Sequence, residues 1–322
     1  MEELEGRGIH MKNRVLVVVG PTAVGKTKLA IEIAKKINGE IISADSMQVY
    51  KYMDIGTAKP TLEEMQGIRH YMIDVFEPNE ECNVAKYKEM AEECIEEILA
   101  RDKIPMIVGG TGLYINTVVD NIQFSETITD WDYRAKLDER ANSEGVEVLF
   151  KELQKIDSEA AKKIHPNDLR RIIRALEVYN STGNPISYHN ELSRQKPSKY
   201  NFTMIGLNMD RTDLYKRIDQ RVEKMFEQGL LAEVRCLVER GVSLENTCMQ
   251  GLGYKEIADY IEGRISLEET VEIIKRNSRR YAKRQLTWFR RDKRIEWLDM
   301  NEDLENIIKK IMNYLDAKDY FI

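Results

Sequence analysis

The run Gly20-Pro21-Thr22-Ala23-Val24-Gly25-Lys26-Thr27 meets the pattern G-x-x-x-x-G-K-[ST] at every required position. A loop of this kind directs its backbone N–H groups, and those of the helix that follows, into one cavity that favours an anion. Lys26 adds a point charge to that cavity, and Thr27 offers a hydroxyl to a magnesium ion. The expected ligand is a diphosphate or triphosphate. The cradle recognises phosphate and not the chemistry beside it, so an NTPase, a kinase and another diphosphate-displacing enzyme all remain open.

Other residues must choose among them. Asp45 follows the apolar pair Ile41-Ile42, and as a carboxylate near the loop it could act as general base or hold magnesium; the alternative is a helix N-cap. Thr111 stands within Gly109-Gly110-Thr111-Gly112, where a ligand can approach the backbone closely, although a simple turn has the same composition. Arg170, Arg171 and Arg174 share a helix face suited to phosphates or to solvent. Arg217 and Arg221 lie on a predicted helix over 214–226, from which either could neutralise a phosphate. Between Lys275 and Arg294, ten lysines and arginines stand against Asp292 alone. Positions 275, 279 and 283 and positions 276, 280 and 284 form a cationic stripe there, interleaved with Tyr281, Trp288 and Phe289. Aromatics beside arginines suit unstacked bases and their phosphates, or else they form the core side of that helix. His10, His70 and His189 form no interpretable group.

These residues need a frame. Val15–Val19 is a short apolar run rich in β-branched residues, and the helical pattern Leu29, Ile33, Ile37 follows the phosphate loop: strand, loop, helix. Ile41-Ile42 and 104–108 are two further predicted strands, separated by an amphipathic helix over 84–99 with an acidic outer face. Alternating strand and helix predict an α/β fold, a P-loop-containing parallel-sheet core with its ligands at the carboxyl ends of the strands. Residues 124–199 show helix-like periodicity and no buried strand, which predicts a helical insertion domain; 1–123 and 200–322 then make up the core. The run 202–209 returns to the sheet, and the remainder reads as mostly helical.

The chain has 322 residues, 42% hydrophobic and 32% charged, which is enough for a sizeable core and an appended unit. Cys82, Cys94, Cys236 and Cys248 are widely spaced, so no disulfide framework or structural zinc site is expected. No apolar run is long enough to span a bilayer and MEELEGRGIHMKNR lacks a signal-peptide core, so a cytoplasmic protein without a membrane partner is expected. The net charge of -6 argues against nucleic acid only if charge is evenly spread. It is not: 77–97 holds eight glutamates against two lysines, while 275–294 is basic.

GPTAVGKT at 20–27, ADSMQVYKYMDIGTAKP at 44–60, HYMIDVFEP at 70–78, IVGGTGLYI at 107–115, HPNDLRRIIRALEV at 165–178, LYKRIDQRV at 214–222 and MQGLGYKE at 249–256 occur in this order along nearly the whole chain. Together they resemble the bacterial tRNA dimethylallyltransferases, and the DSMQVY and GGTGLY blocks are far more specific than the phosphate loop. The resemblance implies transfer of a dimethylallyl group from dimethylallyl diphosphate to the exocyclic amine of the adenosine 3′ to the anticodon in tRNA. The loop then holds the diphosphate leaving group, with Mg2+ as cofactor.

By the same resemblance, Asp45 is the general base within a tRNA-contacting stretch Asp45, Ser46, Met47 and Gln48. Thr22 and Arg217 match diphosphate contacts, and Thr111 matches a tRNA-facing position beside the reaction channel. Arg170, Arg171 and Arg174, and Gln250, Gly251, Gly253, Tyr254 and Lys255, match regions that bind the anticodon stem-loop. A monomer is implied. A P-loop small-molecule kinase and a non-catalytic RNA-binding ATPase switch are the alternatives, and neither accounts for DSMQVY.

Overall fold

The computed structural model describes residues 13–123, 130–193, 197–318 and 320. Arg14–Val19, β1, is buried along its length, as a strand covered on both faces requires. Five further strands, β2 (Gly39–Ala44), β3 (His70–Tyr71), β4 (Ile104–Gly109), β5 (Asn201–Asn208) and β6 (Ile295–Asp299), join it in the order β3-β2-β4-β1-β5-β6. All neighbours are parallel. The chain leaves β1 towards β2 on one side and reaches β5 on the other, so the β1–β4 region is where strand order reverses and ligands are expected. Leu29, Ile33 and Ile37 of the helix Lys26–Ile37 are buried with Leu16, Val18, Met106 and Ile205 of the sheet in one core. Among the described residues no helix is long and apolar enough to cross a membrane.

The tail beyond β5 is mostly helical, as expected, with one strand added. Ile295–Asp299 is a sixth strand that pairs with β5 from Met204↔Ile295 to Asn208↔Asp299. Its sequence, IEWLD, carries two acids because it lies at the sheet edge, so no continuous apolar run announces it. The two-residue β3 was likewise too short to carry a periodicity.

Contact density divides the chain into two compact units, 1–118 with 199–322, and 119–198. The second unit contains the helices Trp131–Glu144, Val146–Ile156, Ser158–Ala161, Leu169–Thr182 and Ile186–Ser193. Leu137, Leu149, Leu153, Ile172, Ile173 and Leu176 form a core of its own. The carboxylate of Glu177 is fully buried there and accepts two bonds from Arg134, at 2.8 and 3.0 Å, and one from Arg174 at 2.6 Å. Burial opposes its ionisation, but those guanidinium bonds prevail and hold its carboxyl below the usual range. The expected insertion start at 124 and His10 lie outside the described residues.

Candidate active site

The phosphate loop leaves β1 and curls by placing Ala23 (φ 64°) and Gly25 (φ 103°) in the left-handed region, where Gly25 has no side chain to strain. Gly25 is also the N-cap of the helix Lys26–Ile37, so the free N–H groups of that helix open onto the loop. Lys26 Nζ lies back on the loop itself, donating to Gly20 O at 2.9 Å and Pro21 O at 2.8 Å. Burial and then the neighbouring Arg221 push its pKa down to about 7, against the opposite pull of Asp45.

Asp45 and Thr111 emerge from β2 and β4, adjacent strands of the sheet. Asp45 Oδ1 accepts from the N–H groups of Met47 (2.9 Å) and Gln48 (3.3 Å), an Asx turn that fixes the carboxylate beside the chain it begins. Thr111 Oγ1 accepts from Ser46 N–H at 3.0 Å, while Thr111 N–H donates to Ala44 O at 3.0 Å. The strands approach closely here because a Cβ on Gly109 would stand 2.2 Å from Ala44 O.

The long helix Leu267–Phe289 faces both loops. Gln285 Oε1 accepts Thr22 N–H at 2.9 Å, and its Nε2 donates to Gly110 O at 3.0 Å. The Tyr281 hydroxyl, one turn earlier, reaches Thr111 and Gln285; burial and the nearby Asp45 raise its pKa to about 12. Trp288 lies so close to Gly112 that a Cβ there would stand 2.4 Å from the indole.

A second layer holds the DSMQ turn. Gln48 Oε1 accepts from Ser43 Oγ at 2.9 Å, and its Nε2 donates to Thr57 O at 3.1 Å. The following loop is latched by Glu233, which accepts the N–H groups of Asp54 and Ile55 at 2.8 Å, Gly56 at 3.1 Å, and the Tyr254 hydroxyl at 2.6 Å. Tyr254 is buried, and Gly251 lies against Met47, 3.0 Å from its sulfur to the position of a Cβ. The QGLGY turn is thus the outer wall of the DSMQ turn.

A phosphate cradle, a fixed carboxylate and a threonine hydroxyl therefore converge at one sheet edge. A family model described as IPP transferase matches residues 48–292. The chain belongs to the IPP transferase family. It is 55% identical to a tRNA dimethylallyltransferase of Acetivibrio thermocellus, over 96% of this chain and 100% of that one. It is also 55% identical to the enzyme of that name from Carboxydothermus hydrogenoformans, over 94% and 97%. Among solved structures it is similar to a full-length tRNA isopentenylpyrophosphate transferase from Bacillus halodurans, with TM-score 0.72, 47% identity, and 95% and 96% of the two chains covered. It is also similar to a eukaryotic dimethylallyltransferase acting on tRNA, with TM-score 0.79, 31% identity, and 96% and 79% covered.

In this IPP transferase the expected site residues are placed unequally. Gly20–Thr27, Asp45, Ser46 and Thr111 share the sheet edge, with Met47 and Gln48 turned into its supporting layer. Arg217 is exposed. Arg221, one turn further along the helix Arg211–Glu227, is the arginine whose charge acts on Lys26 and is in turn drawn by Asp45. It donates to Thr57 O at 3.5 Å. The two were indistinguishable in the sequence because both lie four residues apart on one face.

Arg170 and Arg171 are exposed on the helix Leu169–Thr182 of the other unit, but Arg174 turns to Glu177, so the three do not form one phosphate-facing row. Gln250 donates to Leu244 O at 2.8 Å, and Lys255 is exposed. The basic stripe is also divided. Lys275 pairs with Glu223 and Glu272, and Arg279 with Asp219, which leaves Arg276, Arg280, Lys283 and Arg284 exposed. Phe289 belongs to the core. Glu233 and Gln285 were missed, since a lone glutamate or glutamine carries no local pattern.

Proposed function

We propose that this chain transfers the dimethylallyl group of dimethylallyl diphosphate to the exocyclic N6 amine of the adenosine 3′ to the anticodon in tRNA, releasing diphosphate. The observation that carries the reading is the convergence of the phosphate loop and Asp45 at the same sheet edge, with Arg221 acting electrostatically on both. Family membership supports this choice of substrates, since relatives 55% identical are named tRNA dimethylallyltransferases.

The chemistry divides among the residues. An allylic diphosphate ionises readily if charge building on the departing oxygens is stabilised, and the amides of Gly25, Lys26 and Thr27 at the start of the helix, with the Lys26 and Arg221 side chains, are the donors for that. Thr22 N–H is held by Gln285, and Arg217, exposed one turn before Arg221, is assigned to the diphosphate by the family pattern alone. An aromatic amine is a weak nucleophile; Asp45 accepts its proton as the N–C bond forms. Thr111 positions the amine beside Asp45, and the Asx turn over Met47 and Gln48 keeps the carboxylate aimed. The adenine must leave its stack to enter. Ser46, the outer side of the 250–255 turn with Lys255, and Arg170 and Arg171 are the surfaces assigned to tRNA, with Met47, Gln48 and Tyr254 supporting the turns and Arg174 held by Glu177. A monomer is the working unit.

Mg2+ fits the donor set. Among the described residues no group of three or more His, Cys, Asp or Glu side chains could hold a metal, whereas Thr27, exposed at the loop, carries a hydroxyl of the kind magnesium accepts. Magnesium takes most of its ligands from phosphate oxygens and water, so Thr27 alone is a sufficient protein partner and Asp45 is left to act as base. Bound there, the ion supplies further neutralisation of diphosphate charge.

Incubation with unmodified tRNA and labelled dimethylallyl diphosphate tests the reading, with labelled ATP and candidate metabolites as the competing arm. Label is expected in one adenosine of the anticodon loop. Phosphorylation of a metabolite without label in tRNA would instead indicate a P-loop kinase.

A further inference from the structure

Prenyl transfer requires the carbon that leaves the phosphate loop to be held against the amine on the Asp45 side, and the two halves of the site stand on different strands. One side chain bridges them. Gln285 accepts Thr22 N–H from the phosphate loop and donates to Gly110 O, the carbonyl immediately before Thr111. It is buried, and the space beside Gly110 admits no side chain, because a Cβ there would stand 2.1 Å from Gln285 Nε2. The primary amide accepts at its oxygen and donates at its nitrogen, which are the two roles the two loops require of it. We propose that Gln285 is a positioning residue that sets the distance between the diphosphate cradle and the acceptor amine, and so commits the allylic carbon to tRNA rather than to water.

The inference rests on the transfer reading and adds a consequence to it. In transfer, the C1–O bond breaks with its electron pair going to diphosphate, the N6 lone pair bonds to C1, and the N6 proton passes to Asp45. If the cradle drifts from the amine, a water oxygen bonds to C1 instead and gives its proton to solvent, so the products are dimethylallyl alcohol and diphosphate. A misplacement of about 1 Å at this distance costs on the order of 100-fold in the bimolecular step. Tyr281 supports the bridge from the preceding turn, through its reach to both Thr111 and Gln285.

The test compares the natural chain with Gln285→Glu, which keeps the acceptor for Thr22 but opposes a carboxylate to Gly110 O, and with Gln285→Leu, which removes both bonds. Gly110→Ala is the converse variant, pushing Gln285 aside from the other end. Each is assayed with tRNA and labelled dimethylallyl diphosphate for two products at once, prenylated tRNA and dimethylallyl alcohol. The ratio of alcohol to prenylated tRNA is expected to rise roughly tenfold or more, while the Kd for inorganic diphosphate changes little. Partial unfolding lowers both products together, so the ratio separates positioning from stability; if Gln285→Leu does not fold, Gln285→Glu is read. An unchanged ratio in a folded variant overturns the proposal. Failure of the parent reading looks different, since the natural chain itself then leaves tRNA unlabelled.

Discussion

At the scale of single residues, Lys26 sets a pH dependence. Its ammonium lies on the carbonyls of Gly20 and Pro21, and burial together with Arg221 lowers its pKa to about 7. An arriving diphosphate is an opposite charge and raises that pKa again, so binding above neutrality takes up a proton. Affinity should therefore fall as pH rises through about 7 and beyond, and it should level off below that value, where Lys26 is already charged. Calorimetry of inorganic diphosphate binding near pH 8 in buffers of different ionisation enthalpy checks this: the apparent enthalpy should follow the buffer, by close to one proton in the direction of uptake. Lys26→Arg should abolish that dependence.

At the scale of elements, Glu177 ties the helix Trp131–Glu144 to Leu169–Thr182 through Arg134 and Arg174. Glu177→Ala removes the buried carboxylate and leaves Arg134 and Arg174 part-exposed, so the cost is that of lost charge-assisted hydrogen bonds, and the unit should be destabilised by roughly 1–3 kcal/mol. Hydrogen exchange should quicken throughout 130–182 and leave β1 and β4 protected. The same elements mark how far the sequence could be read. Local patterns were sufficient for β1, the phosphate loop and the helix Val84–Leu99, because apolar runs, glycines and a 3.6-residue period act over neighbouring positions. They were insufficient for β6, whose IEWLD composition reflects an edge position, and for choosing Arg221 over Arg217, which depends on what the helix packs against. Gln285 and Glu233 bridge residues far away in sequence, at separations of 263 and 179 positions, and no spacing rule reaches that far.

At the scale of the whole molecule, an acidic chain presents a basic face on one helix. Arg276, Arg280, Lys283 and Arg284 stay exposed, whereas Lys275 and Arg279 are neutralised by carboxylates of neighbouring elements. If that face meets phosphates, replacing Arg280 and Arg284 by Gln should weaken tRNA binding with little regard to sequence. It should also flatten the slope of log K against log salt by roughly 1.5 to 2. Binding measured across a salt series decides whether the stripe belongs to the tRNA interface; an unchanged slope would exclude those two positions from it.

The central claim is that the phosphate loop anchors a leaving group while Asp45 accepts the proton of a nucleophile brought by tRNA. Single-turnover transfer from a preformed enzyme–tRNA complex, with Asp45→Asn compared against the natural chain, tests it most directly. Asparagine keeps the shape and the Asx turn over Met47 and Gln48 but is no base. The expected result is tRNA and diphosphate affinities close to those of the natural chain, with the transfer rate lower by about 10²–10⁴. Transfer at the natural rate, or loss of tRNA binding together with transfer in a folded variant, would contradict the assignment of Asp45 as the base.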